Sequence, residues 1–110
     1  MDLVNQPNAP ALRKLELVVA DSFLAPALLE LEAAGISGST VLQVVQSKGL
    51  RSGEVLYDGL LPGSSNLWVF AVAPAAAVQQ AFDRLKPLID QWGGLLIVCD
   101  VYTGYGPGLK

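Results

Sequence analysis

Apolar residues alternate with polar ones, or run together, in four short segments that each predict a β-strand. These segments are "LRKLELVVA" (12–20), "STVLQVVQ" (39–46), "NLWVFAVA" (66–73) and "LLIVCDVY" (95–102). Alternation is typical of a strand with one covered face, and a continuous apolar run is typical of a strand covered on both faces. Because the last segment is nearly all apolar, we expect it to lie at the centre of the sheet.

Two other segments repeat their apolar residues at the spacing of a helix. In the first, which Gly35 is placed to end, the shared face consists of Leu24, Leu28, Leu31 and Ala34. Asp21 and Ser22 offer capping oxygens at its start. In the second, the shared face consists of Val78, Phe82, Leu85 and Ile89. Pro87 lacks an amide hydrogen and is expected to kink or split this second helix.

The resulting order, βαββαβ, predicts an α+β fold of the ferredoxin-like type. Two βαβ halves with right-handed crossovers form a four-stranded antiparallel sheet with both helices on one face. The third strand has apolar residues on both of its faces, Leu67, Val69 and Ala71 against Trp68, Phe70 and Val72. We therefore expect other subunits to bury the face that the helices leave open.

The composition agrees with a single domain that assembles into an oligomer. Of 110 residues, 52% are hydrophobic and only 15% are charged. A monomer of this size could not easily bury that much apolar surface. The net charge of −3, with no basic cluster, argues against nucleic acid as a partner. No apolar run approaches the roughly 20 residues of a membrane-spanning helix. The first residues show neither the basic start nor the hydrophobic segment of a signal peptide, so none is expected.

We expect a cytoplasmic protein with one unpaired cysteine. Cys99 lies in the last apolar segment, and a single cysteine there is most simply a buried small hydrophobic residue. Residues 1–11 are interpreted as a flexible arm, 12–103 as the folded domain and 104–110 as a flexible tail. Within the domain, a long Gly-rich segment, 48–65, separates the second and third strands. A hairpin needs only two to five connecting residues, and a loop of this length is usually functional or disordered.

Candidate catalytic chemistry is sparse. The chain has no histidine, so Ser–His and Cys–His pairs and histidine-ligated metals are excluded. Glu30 and Glu32 are two residues apart on a helix and cannot face each other. We predict no catalytic residue, no metal ligand and no enzyme.

Candidate binding chemistry lies in "SKGLRSG" (47–53), at the entrance of the long segment. It combines two cations, Lys48 and Arg51, with two hydroxyls and two glycines. Phosphate recognition uses this mixture of free backbone amides, a forked guanidinium and an ammonium. A solvated turn that carries two surface charges has the same composition, so the motif by itself leaves both interpretations open.

Two stretches resemble the PII-like signalling proteins, in particular the regulators associated with bicarbonate transport. They are "EAAGISGSTV" (32–41), which leads into the second strand, and "KGLRSGE" (48–54), which opens the loop. The resemblance covers about residues 15–101 with the same element order. It implies a homotrimer whose ligand sites lie in the clefts between subunits. It also implies that residues 48–65 correspond to the T-loop, which changes conformation with the bound nucleotide and docks onto a target protein, such as a membrane transporter or an enzyme of nitrogen or carbon metabolism.

The resemblance also implies the ligand-binding residues of an adenine-nucleotide site for AMP, ADP, ATP or cyclic AMP. Beside the adenosine would lie Gly38, Ser39 and Thr40. The phosphates would meet Lys48, Arg51 and Ser52. The second-strand residues 43–46 would line the cleft. Typical members add a Gly-Asp-Gly-Lys loop before the last strand, of which this chain keeps Gly93 and Gly94.

Departures from the family pattern leave a second hypothesis open. The lysine of that loop and two arginines after the last strand are missing, so ATP is expected to bind weakly or a smaller nucleotide to be preferred. The alternative is a trimeric PII-like sensor or scaffold that has lost nucleotide binding and responds to another small molecule or a metal ion. A small enzyme of ferredoxin-like fold is a third hypothesis.

Overall fold

The computed structural model describes residues 11–44, 47–48, 55–56, 65–102 and 105. The elements in chain order are β1 (Leu12–Ala20), α1 (Leu24–Ala33), β2 (Thr40–Gln43), β3 (Ser47–Lys48), β4 (Val55–Leu56), β5 (Asn66–Pro74), α2 (Ala75–Trp92) and β6 (Leu95–Val101). A 3-10 turn, Asp21–Phe23, joins β1 to α1. The expected arm, the expected tail and most of segment 48–65 lie outside the described residues.

The main sheet has four strands in the order β2-β5-β1-β6, and every pair is antiparallel. With the two helices, this confirms the expected α+β, ferredoxin-like fold. Strands β3 and β4 pair separately as a two-residue antiparallel ladder inside the long connection. The expectation that the last strand is central was wrong, because β6 lies at an edge. In this topology the first strand of each βαβ half takes a central position, and the apolar run of β6 arises because its open face is also apolar.

The hydrophobic core lies between the sheet and the helices. Alternate residues of the two central strands supply one side of it, and α1 and α2 supply the other. The fully buried side chains are Leu15, Leu17, Val19, Val69, Leu31, Val78 and Leu85. Each stabilises the fold by roughly 1.5–3 kcal/mol relative to an exposed position. The predicted face of α1 is therefore confirmed, as are Val78, Leu85 and Ile89 of α2, whereas Phe82 does not pack against the core and Ala81 is buried in its place.

The helix ends differ in detail from the expectation. Asp21 and Ser22 do not cap α1, which has no side-chain cap hydrogen bond; they lie in the 3-10 turn before it. Helix α1 ends at Ala33, and Gly35, which was expected to end it, follows the C-cap residue Ala34 with a φ of +89°. Helix α2 is not split at Pro87 and runs on to Trp92. Pro87 is exposed, so the interrupted bond lies on the solvent side while the buried face packs without a break.

The open face of the sheet, opposite the helices, carries a large apolar surface in the single chain. Its exposed or half-buried apolar residues are Leu42, Trp68, Phe70, Val72, Val18, Leu95 and Ile97. Cys99 also lies on it and is exposed, so the expectation of a buried cysteine was wrong for the single chain. The reason is again that β6 has no layer over this face. We refer to this surface as the open face.

A small polar group lies in the middle of the open face. The Trp68 indole Nε1 donates a 3.0 Å hydrogen bond to Glu16 Oε1, and Lys14 Nζ lies 3.5 Å from the same oxygen. The Lys14 ammonium also lies 4.9 Å from the centre of the Phe70 ring and 5.7 Å from that of Trp68, within cation–π range. The lysine charge is thereby held against both an acidic and an aromatic partner.

Within the described residues, neither helix combines the length and the apolar character needed to cross a membrane.

Candidate functional site

The long connection leaves and rejoins the sheet at one end. Val44 follows β2 and donates its backbone N–H to Asn66 O at 2.9 Å, and Asp21 N donates to Ser65 O at 2.8 Å. Asn66 also pairs with Ala20, the last residue of β1. Backbone hydrogen bonds therefore fix both roots of the connection beside the end of β1. We call this part of the molecule the loop end of the sheet.

Gly93 and Gly94 lie at the same loop end. Strand β6 starts at Leu95 opposite Val18, which places the two glycines beside the last residues of β1. Both have positive φ, +77° and +107°. A Cβ on Gly94 would collide with the Val18 carbonyl oxygen, so only glycine allows the chain to pass so close to β1.

Gly38, Ser39 and Thr40 lie at the opposite edge of the sheet, where the chain enters β2. All three are exposed. Thr40 pairs with Phe70, three residues along β2 from the loop end, or about 10 Å. In the strand order, β5 and β1 lie between β2 and β6. At about 4.8 Å per strand, some 14 Å separates the edge of Thr40 from the edge of the two glycines.

One chain therefore does not bring all the predicted ligand-binding residues together. The roots of the loop and the glycine pair share the loop end, whereas the Gly38–Thr40 segment lies on the far edge. Lys48 is described only through its backbone, which pairs with Val55. Arg51 and Ser52 lie outside the described residues. These assignments remain predictions.

Of the described cations, three are engaged away from the loop end. Arg13 Nε lies 3.1 Å from Asp100 Oδ1 near the other end of β1. Lys14 is paired with Glu16 on the open face, and Arg84 Nε donates to Glu30 Oε2 at 2.8 Å between the two helices. These three side chains are therefore not available to an anionic ligand at the loop end.

Asn66 is the residue at the loop end that sequence reasoning missed. Its side chain is 1% exposed, and neither Oδ1 nor Nδ2 has a hydrogen-bond partner. The sequence shows a polar residue at the first position of a strongly apolar strand. That is a normal strand start, so burial of the amide could not be inferred from it.

An aromatic pair packs beside the same region. The rings of Phe23 and Trp92 stack with centroids 4.9 Å apart and an interplanar angle of 7°. Both are partly buried against the core, which ties the 3-10 turn after β1 to the end of α2. Trp92 thus has a structural role. Within the part of the chain that the structure describes, no three or more metal-ligating side chains lie together.

No protein-family model matches the chain, and no curated protein matches it. Solved structures do. CPII from Thiomonas intermedia K12, bound to ADP and bicarbonate, is 25% identical with a TM-score of 0.69, over 86% of this chain and 90% of that one.

Two less similar structures share the fold. A PII-like signalling protein from Thermus thermophilus is 14% identical with a TM-score of 0.62, over 86% of this chain and 89% of that one. GlnK from B. subtilis, in complex with ATP, is 18% identical with a TM-score of 0.61, over 84% and 83%. Strand order, helix placement and the extent of these matches agree with the motifs at residues 32–41 and 48–54, and they confirm the resemblance of this chain to the PII-like signalling proteins.

Proposed function

We propose that this protein is a regulator that binds an adenine nucleotide in clefts between the subunits of a homotrimer. The ligands of its structural neighbours support this: CPII has been solved with ADP and with AMP, and GlnK with ATP. We propose AMP or ADP in preference to ATP, because the chain lacks three of the positive charges that the family directs at a triphosphate.

The positions of the proposed site residues favour a cleft between subunits. Gly38, Ser39 and Thr40 lie about 14 Å from Gly93 and Gly94, on the opposite edge of the same sheet. One end of a nucleotide cannot contact both groups within a single chain. A neighbour that packs on the open face would bring its own edge strand towards this one. This separation onto two edges is the observation that carries the proposal.

The proposed phosphate contacts are Lys48, Arg51 and Ser52. Arg51 is the most important of them because a guanidinium donates two parallel hydrogen bonds to phosphate, which an ammonium cannot do. Its position seven residues after Val44, a fixed root of the loop, keeps it within reach of the loop end.

The proposed output is the long loop, residues 48–65. Nucleotide contact at Lys48 and Arg51 would couple occupancy of the cleft to the conformation that the loop presents to a target, a transporter or an enzyme. We include a small carboxyl-type anion as a second effector, because CPII has been solved with bicarbonate and also with acetate beside its nucleotides.

Titration calorimetry with AMP, ADP, ATP and cyclic AMP, together with the mass in solution, tests the proposal. We expect a trimer that binds AMP or ADP at micromolar strength. Arg51→Ala should weaken binding about 10- to 100-fold, the equivalent of one or two charge-assisted hydrogen bonds. Arg84→Ala is the matched control, since Arg84 pairs with Glu30 on the helix layer, and its affinity should not change.

Two outcomes would contradict the proposal. A trimer that binds none of the four nucleotides would favour the sensor or scaffold of another small molecule or metal ion. A monomer that binds nucleotide, with Arg51→Ala unaffected, would place the site within one chain and away from the loop.

A further inference from the structure

The charged pair on the open face, Lys14 and Glu16, is set among apolar side chains. Across the strands, Glu16 lies between Phe70 and Ile97. Lys14 lies beside Val72 in the next row. In the single chain both charged side chains keep partial exposure, 31% for Lys14 and 22% for Glu16. A layer that covers the open face would therefore remove water from both charges.

The single chain leaves this pair incompletely bonded. Lys14 Nζ lies 3.5 Å from Glu16 Oε1, longer than the roughly 2.7–2.9 Å of a charge-assisted hydrogen bond. The same oxygen already accepts from Trp68 Nε1 at 3.0 Å. Among the described residues, no group bonds to the second carboxylate oxygen, Oε2. One oxygen of the carboxylate and part of the ammonium are thus available to a group from outside the chain.

These two charges restrict what can cover the open face. A purely apolar layer would take water from the carboxylate and the ammonium without replacing it, which is strongly unfavourable for incompletely paired charges. A suitable partner must therefore be apolar and must also carry one cation and one anion at matching positions. The open face of a second copy of this chain has this composition, with both charges in equal number.

A closed ring of copies can pair every one of these charges. In a heterologous ring, each chain turns one side of its contact surface towards one neighbour and the other side towards the next. Lys14 of each copy can then meet Glu16 of the next copy, while that carboxylate keeps its bond from Trp68. Each added copy brings one ammonium and one carboxylate, so the closed ring leaves neither in excess.

We propose that Lys14 and Glu16 are the specificity-determining residues of subunit assembly. The ammonium of one copy pairs with the carboxylate of the next, so that the open face accepts a second copy of this chain and rejects an apolar sheet that lacks the pair. The inference rests on the proposed function, because it assigns the contact that selects the subunits of the homotrimer.

Lys14→Met and Glu16→Gln test the contact, because each removes one charge at similar size and glutamine keeps an oxygen for Trp68. We expect either variant alone to assemble with an association constant lowered at least about tenfold, since the remaining charge is covered without its counterpart. Analytical ultracentrifugation across a concentration series measures the association, and circular dichroism verifies the fold.

Mixing the two variants distinguishes a contact between copies from one within a chain. In a mixed trimer, Lys14 of a Glu16→Gln chain can pair with Glu16 of a Lys14→Met chain, which neither variant can achieve alone. With one variant labelled by mass, we expect native mass spectrometry of an equimolar mixture to show mixed trimers above the statistical proportion. Labelled and unlabelled wild-type chains should mix statistically.

Arg84→Met and Glu30→Gln are the matched control pair. These two side chains form an ion pair of 2.8 Å within one chain, between the helices and away from the open face. Neither variant should change the association constant, and their mixture should stay statistical.

Three results would overturn the inference. Unchanged association in both Lys14→Met and Glu16→Gln would show that the charges do not select the subunits. A statistical distribution in their mixture would show that the pair acts only within a chain. A wild type that stays monomeric would show that something other than a second copy covers the open face. Only this last result also contradicts the proposed trimer, and the wild-type nucleotide titration is read independently of all three. If Lys14→Met does not fold, Lys14→Gln replaces it with the same expected results.

Discussion

Gly94→Ala is expected to lower the free energy of unfolding by about 3–5 kcal/mol, as strain and overpacking act together. The added Cβ would collide with the Val18 carbonyl oxygen and lie 3.3 Å from its carbonyl carbon. These are backbone atoms of a central strand and cannot rotate away as a side chain can. The φ of +107° adds backbone strain for any residue with a Cβ.

Gly93→Ala and Gly38→Ala are the matched controls. Gly93 also has a positive φ, but a Cβ added there would have no atom within 4 Å, so we expect about 1–2 kcal/mol from strain alone. Gly38 has open space and no positive φ, and its substitution should change stability by less than about 0.5 kcal/mol. Urea unfolding at one fixed protein concentration measures all three, because assembly contributes to the apparent stability.

The graded order is what tests the structure. If Gly94→Ala were no more destabilising than Gly93→Ala, the close approach of the α2–β6 turn to β1 would be wrong. The register of β6 on β1 would then need revision.

Ile97→Glu is expected to dissociate the proposed trimer, with the association constant lowered at least about 100-fold. Ile97 is 47% exposed in the single chain and lies on the open face, in line with Phe70 and Glu16 across the sheet. A carboxylate buried there between subunits would lose its hydration and face the carboxylate of Glu16. An unpaired buried charge costs several kcal/mol.

Leu29→Glu is the matched control for Ile97→Glu. Leu29 is 64% exposed on α1, on the helix layer, so it places the same charge on the other side of the molecule. Mass in solution, by light scattering or analytical ultracentrifugation across a concentration series, should fall for Ile97→Glu and stay unchanged for Leu29→Glu. Circular dichroism verifies that both variants are folded.

Nucleotide titration of the same two variants connects assembly to function. If the cleft needs two subunits, Ile97→Glu should also lose nucleotide affinity under conditions where it is dissociated. Dissociated chains that still bind nucleotide would show that one subunit is sufficient. A variant that stays assembled would show that the open face is not the subunit interface.

The sequence predicted element types, element order and core faces correctly because these depend on local spacing. Leu15, Leu17 and Val19 alternate, and Val78 and Leu85 are separated by two helical turns, so each set has only one face to bury. Six elements in the order βαββαβ then leave few compact topologies. The same reasoning could place the candidate residues Gly38, Lys48, Arg51 and Gly93 on the chain, though not relative to one another.

The tertiary structure decided what depends on neighbours distant in sequence. An apolar run like that of β6 has the same pattern whether a second helix layer or another subunit covers it, so the edge position and the exposure of Cys99 could not be predicted. Burial of the Asn66 amide depends on the chain packed around it, and the requirement for glycine at Gly94 depends on the carbonyl of Val18, far earlier in the chain. Local patterns fix which face of an element is apolar, whereas the layer that covers that face is set by long-range contacts.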